Sequence, residues 1–252
     1  MARQKGIIKL KGTMGDITFY RSGDGYMARE KGGVSAERIQ SDPRYQRTRE
    51  NMSEFGRAGT AGKVLRASIQ SMLRTSSDSR MVGRLTKEMV KVIQMDETNP
   101  RGLRNVIDGE AELLLGFEFN IQGKLKLSIS APFTTSCDRV TGEAVIEVAP
   151  FIPMESLSAP SGSTHYQIVS AAMDINFEKE TFVAPRSSTP IQPIDTVMTT
   201  AVQLENALPA ASINPQFIIL GVNFFQEVNG AFYELKSGAY NSLQVVYVNG
   251  TP

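Results

Sequence analysis

The stretch from Ser41 to Glu97 constrains this chain most, because its apolar residues recur at the spacing of one helix face along most of its length. Ser41-Asp42-Pro43 puts a capping side chain ahead of a proline at the first helical position, where the missing N–H costs nothing. The buried stripe expected from there reads Tyr45, Met52, Phe55, Gly59, Gly62, Leu65, Ile69 and Met72. Ser76-Ser77-Asp78 then breaks and recaps the chain before a second amphipathic run with Met81, Val82, Leu85, Met89, Val92 and Ile93 on one side. Two helices joined by a short turn make a helical hairpin. Gly56, Gly59 and Gly62 recur inside the first helix, each about 1 kcal/mol worse than alanine there, so close approach of another helix or backbone is the expected compensation, with a break near Gly59 or a phosphate site as the alternatives.

The flanks read differently. In residues 1–35, Ile7–Lys11, Asp16–Arg21 and Tyr26–Arg29 are strand-like, with Ser22-Gly23-Asp24-Gly25 as a turn. Such an arm has too few apolar side chains to stand alone, so the body or a neighbouring copy must cover it. After Glu110–Gly116, a short helix ending in glycine, the period changes to two. Lys124–Ile129 and Glu143–Val148 alternate, and Phe133–Arg139, His165–Phe177, Val197–Leu204, Phe217–Gln226, Phe232–Leu235 and Leu243–Val248 are further strands, with a tight hairpin turn at Val228-Asn229-Gly230-Ala231. The expected fold is α+β: an N-terminal β-arm (1–35), a basic helical region (36–116) and an acidic antiparallel β-sandwich, jelly-roll-like or immunoglobulin-like (117–252).

Charge separates these regions. Residues 1–105 carry 21 Lys+Arg and 11 Asp+Glu, whereas residues 106–252 carry 6 and 15. A net charge of +1 therefore conceals a basic half joined to an acidic half, which favours encounters between unlike ends of two copies as well as packing within one chain.

At the amino terminus, Ala2–Leu10 with Gly15-Asp16-Ile17-Thr18-Phe19-Tyr20, and later Thr48-Arg49-Glu50-Asn51 with Glu54-Phe55-Gly56-Arg57-Ala58, resemble an uncharacterised family of hypothetical proteins in Bacteroidetes genomes. The resemblance covers mainly the first hundred or so residues and implies only a bacterial or phage setting, with no activity attached.

Chemistry-bearing residues are sparse. Histidine occurs once, His165 beside Ser163 and Thr164, and cysteine once, Cys137 in an alternating strand, so His/Cys metal centres are excluded by number. Asp174, Glu178 and Glu180 lack the order of an EF-hand loop, and Gly62-Lys63 lacks the flanking residues of a P-loop. No cofactor, metal or small-molecule substrate is expected, and the chain does not read as an enzyme. No apolar run reaches the roughly 18 residues of a membrane span, and the basic start has no apolar signal core, so a cytoplasmic location is expected and the sequons at Asn51 and Asn249 read as incidental.

A structural protein that assembles with copies of itself, as a filament, tube or phage-like particle, fits these features best. Its expected interface residues are Ile7, Ile8, Leu10, Ile17, Phe19 and Tyr20 in the arm, for strand docking, and Arg80, Arg84, Lys87 and Lys91 on the second helix, for electrostatic steering. The alternative is a nucleic-acid-binding protein using that basic hairpin.

Overall fold

A computed structural model describes residues 1–30, 32–235 and 240–250. Lys31 of the expected arm and Thr251 of the second sequon lie outside the described residues. The chain is a mixture of helix and antiparallel sheet, and it divides into two compact units, Met1–Arg49 and Glu50–Pro252.

The first unit begins with strands β1 (Ala2–Arg3), β2 (Gly12–Met14), β3 (Ile17–Ser22) and β4 (Gly25–Glu30), which pair antiparallel in the order β1-β4-β3-β2. Helix α1 (Ala36–Ser41) follows, capped by the Ser35 side chain. Asp42 then accepts from the Arg44 N–H and caps a short 3-10 turn begun by Pro43, which leads into helix α2 (Gln46–Ser68). The helix start expected at Ser41-Asp42-Pro43 is therefore observed, with Asp42 as the cap.

Ile7–Lys11, expected as a strand, is instead a loop between β1 and β2. The Gln4 side-chain amide accounts for this: its Oε1 accepts the Leu10 N–H (2.9 Å) and its Nε2 donates to the Leu10 carbonyl (3.2 Å). One side chain thus satisfies the backbone groups that a neighbouring strand would have taken.

The second unit continues α2 and adds helices α3 (Gln70–Leu73) and α4 (Met81–Gln94). It then runs through α5 (Leu125–Ser128), β5 (Phe133–Asp138), β6 (Glu143–Val148), α6 (Pro153–Ser156), β7 (His165–Asn176), β8 (Thr181–Val183), β9 (Arg186–Ser188), β10 (Gln192–Pro193), β11 (Val202–Ala207), β12 (Gln216–Val228), β13 (Ala231–Glu234) and β14 (Ser242–Asn249). A seven-stranded antiparallel sheet is centred on the long strands β7 and β12, with β14 beside β12, and a separate three-stranded sheet runs β11-β6-β5.

Alternation along the two long strands builds two cores, one on each face. Ala171, Met173 and Ile175 with Phe217 and Ile219 join Leu65, Ile69, Leu85, Met89 and Ile93 of the helices in one apolar cluster. Ile168 and Ala172 with Ile218, Leu220, Val222 and Phe224 join Ala144, Ile146, Val148 and Leu204 of the three-stranded sheet in the other. The order is therefore helices, central sheet, second sheet. Because β12 is buried on both faces, its apolar run is nearly continuous, as in the parallel strands of doubly covered sheets. Gly221 lies where a Cβ would come within 2.3 Å of the Ser242 carbonyl, so the central sheet admits only glycine there. Asn229 and Gly230, both at positive φ, close the expected β12–β13 hairpin in two residues.

Several expectations about faces and strands are corrected. Met52 and Phe55 of the expected stripe are 60% and 61% exposed, and Val82 is exposed too. The buried residues of α2 are Glu54, Ala58, Ala61, Gly62, Val64, Leu65 and Ser68, so Gly62 and Leu65 of the expected stripe are buried, as is Ile69 just beyond, while in its first half the inward position is taken by Glu54, whose carboxylate accepts the Gly102 N–H at 2.8 Å. Of the three glycines only Gly62 meets a neighbour, Leu85 of α4 at 3.7 Å, while Gly56 and Gly59 face open space. The first helix also breaks at Ile69 rather than running through Met72. Lys124–Ile129, expected as a strand, holds the single helical turn α5: Glu118 accepts the Leu125 N–H, Ser128 Oγ returns to the Lys124 carbonyl, and the buried Leu125 and Ile129 stand four apart. The strand expected at Val197–Leu204 begins only at Val202, where pairing with β6 starts.

Candidate assembly surface

The register of the N-terminal sheet sorts its side chains. Across β1, β4, β3 and β2, Ala2, Ala28, Phe19 and Gly12 share one row, and Glu30, Ile17 and Met14 the next, with Tyr26 and Arg21 in a third, all on the same face. Arg3, Met27 and Tyr20, then Arg29, Thr18 and Thr13, occupy the opposite face. One face is thus largely apolar and the other polar and basic. Arg29 lies over the Tyr20 ring at 5.6 Å, and Arg21 over the Tyr26 ring at 5.8 Å.

No described residue from Met1 to Arg49 is buried. Phe19 and Tyr20 are half-buried, and Leu10 and Ile17 are exposed. Ile7 and Ile8, at 102% and 81% exposure, project from the β1–β2 loop with no apolar neighbour to hide them. The loop is nonetheless shaped: besides its two bonds to Leu10, Gln4 Nε2 reaches the Met27 carbonyl (3.1 Å), and Lys9 Nζ donates to the Gln4 carbonyl (2.7 Å).

The four cations of α4 and its cap do not act as one patch. Arg84 is tied inward: its guanidinium pairs with Asp78, donates to the Glu118 carbonyl at 2.7 Å and lies over the Phe117 ring at 5.2 Å. Lys91 is paired with Glu88 at 2.7 Å. Arg80 and Lys87 are exposed. Burial by itself would raise the Asp78 carboxyl, but N–H donors from Ile121 and Arg80 and the Arg84 guanidinium outweigh it and hold the group below the usual carboxylate range.

Arg84 and Lys87 also line a hollow of about 450 Å³ with Leu113, Leu115, Ile121 and Lys124, and Glu118 stands in it. Desolvation pushes the Glu118 carboxyl from its ordinary 4.5 up to about 7, against hydrogen bonds from the Leu125 N–H and Gln244 Nε2 (2.7 Å) and the charges of Lys124 and Arg84. Sequence reading passed over Glu118. Its neighbours in space include Arg84 of α4 and Gln244 of β14 as well as its own segment, so no local spacing marks it.

The remaining chemical candidates are structurally engaged. His165 Nδ1 lies 2.9 Å from Thr164 Oγ1 and its ring packs against Phe232, while the Thr164 hydroxyl also accepts the Glu227 N–H. Cys137 is half-buried, and desolvation raises its thiol. Asp174 is buried and accepts from Asn214 Nδ2 (2.7 Å) and Gln216 Nε2 (3.2 Å). Among the described residues no group of three or more His, Cys, Asp and Glu is placed to hold a metal ion, and no helix is long and apolar enough to cross a membrane. The chain matches no family model, no curated protein and no solved structure.

Proposed function

We propose that this protein is a structural subunit that assembles with copies of itself, its N-terminal sheet being an arm completed by a neighbouring copy. One observation carries the reading: a four-stranded sheet presents an apolar face of Met14, Ile17, Phe19 and Ala28, yet no described residue of its unit is buried. Apolar surface of that kind gains roughly 25 cal/mol per Å² when covered, and a small sheet without a core is marginal in water. Under this reading the two facing sheets of the second unit form the body of a jelly-roll-like or immunoglobulin-like subunit in a filament, tube or phage-like particle. Contacts between unlike surfaces build rings or open filaments according to whether the rotation closes. The role is architectural rather than catalytic. Arg84 and Lys91, already engaged within the chain, leave the nucleic-acid alternative with Arg80 and Lys87 alone on that helix.

The test is negative-stain microscopy and sedimentation velocity on the full chain beside Ile17→Asp. Large regular particles are expected for the wild type, and their loss, with an unchanged far-ultraviolet circular dichroism spectrum, for the variant. A wild-type protein that sediments as a monomer at high micromolar concentration overturns the reading. Excess absorbance at 260 nm that falls away with salt would turn it toward nucleic acid.

A further inference from the structure

The outer face of the three-stranded sheet is built from three registered rows: Thr134, Glu147 and Gln203; Ser136, Val145 and Glu205; Asp138, Glu143 and Ala207. Its opposite face is the one that enters the core. Four carboxylates and no cation stand on these nine positions, and Asp138 lies directly across from Glu143, a like-charge pairing that weakens a sheet unless something cationic covers it. At the Glu147 end of the same face is a hollow of about 380 Å³, lined by Pro132, Thr134, Glu147, Ala149, Ala201 and Gln203 and, from the neighbouring row whose side chains join the core, by Phe133, Val148 and Val202. The face therefore combines a shallow hollow, apolar at Pro132, Ala149 and Ala201 and carrying the Glu147 carboxylate on its lining, with a surrounding negative field.

The chain also carries the complement. Residues 1–49 hold eleven Lys+Arg against five Asp+Glu, and the β1–β2 loop reads Lys5-Gly6-Ile7-Ile8-Lys9-Leu10-Lys11, two fully presented isoleucines bracketed by lysines. The Gln4 clamp on Leu10 holds that loop in shape before any contact is made, which lowers the entropy lost on docking.

We infer that the Ile7–Ile8 loop of one copy seats in the Phe133–Val202 hollow of a second copy, with Lys5 and Lys9 against Glu147 and Glu205. This rests on the assembly reading above and names its contact. Apolar knobs supply the burial, and the opposed charges supply steering and register, so association weakens as salt screens them.

A charge swap on the full chain tests it. Glu147→Lys with Glu205→Lys, and separately Lys5→Glu with Lys9→Glu, are each expected to weaken association about tenfold or more, while an equimolar mixture of the two variant proteins restores heterologous pairing. All four side chains are exposed, Lys9 giving up its bond to the Gln4 carbonyl in the variant; matching thermal midpoints confirm that the variants fold, and rescue in the mixture shows that the loop still docks. Contact is read directly by mixing an Ile8→Cys protein with a tagged Gln203→Cys protein, both on a Cys137→Ser background, under mild oxidation; a disulfide joining the two unlike chains is expected. If the wild type assembles but both charge variants assemble equally well, or no unlike-chain disulfide forms, this contact is wrong and the assembly reading stands. If the wild type is monomeric, the assembly reading falls first and the contact with it.

Discussion

The two units place their apolar residues in opposite ways. In Glu50–Pro252, Phe217, Ile219, Leu65 and Met89 are wholly buried in a core shared by helices and sheet. In Met1–Arg49 the apolar side chains of the sheet face outward or are only half covered. Both units use the same antiparallel pairing, so hydrogen bonding does not distinguish them. The difference lies in layers: β7 and β12 are covered on both faces, and among the described residues of their unit no buried residue covers β3 and β4. A sheet becomes a stable body when something apolar closes over it, and the N-terminal sheet presents that requirement unmet.

Truncating one aromatic in each unit separates a filled core from an uncovered face. Phe217→Ala is expected to cost about 3–5 kcal/mol in urea unfolding, because it opens a cavity in a filled core. Phe19→Ala should change the unfolding free energy by less than about 1 kcal/mol, and under the assembly proposal it shows itself instead as reduced particle size in sedimentation. Equal losses from the two substitutions would mean that Met1–Arg49 carries a core of its own.

A smaller effect sharpens the account of the second unit. Arg84→Ala leaves the Asp78 carboxylate without its guanidinium and two backbone carbonyls without a donor, and about 2–3 kcal/mol of stability should go with it. Lys87→Ala, one turn away and exposed, should stay within about 0.5 kcal/mol. Chemical denaturation of both variants separates a cation that holds the body together from one available to a partner.

The smallest expected effect is on pH. Glu118 binds its proton more tightly when folded, with a value of about 7 against an ordinary 4.5, so stability falls as pH rises between those values. Solvent reaching the half-exposed carboxylate trims the size of that slope. Glu118→Gln should flatten it in thermal melts between pH 4.5 and pH 7. Asp78 acts with the opposite sign: held below its ordinary value in the fold, it contributes stability at neutral pH that is lost as pH falls through its folded value.

Much of the architecture was legible in the residues. The capping group before Pro43, the amphipathic run from Met81 to Ile93, the alternation of Glu143–Val148 and the Asn229-Gly230 turn are local signals whose physical causes act within a few residues, and each appears in the structure. Where the reading failed, a side chain or backbone group outside the segment's own pattern had intervened. Glu54, bonded to the Gly102 N–H forty-eight residues away, is buried in place of Met52 and Phe55. Glu118 nucleated a helical turn in the alternating Lys124–Ile129. Gln4 replaced a strand neighbour for Leu10.

The same division holds for the candidate surfaces. That the chain is basic in its first part and acidic in its second, and that Ile7 and Ile8 stand among lysines, is written in composition and order, which depend on nothing but the residues themselves. That Asp138, Glu143, Glu147 and Glu205 share one outward face, that a hollow opens beside them, and that Arg84 is withdrawn from solvent while Lys87 is not, depended on strand register and on contacts between segments far apart in the chain. Periodicity says which residues can share a face; only packing between layers decides whether that face is covered.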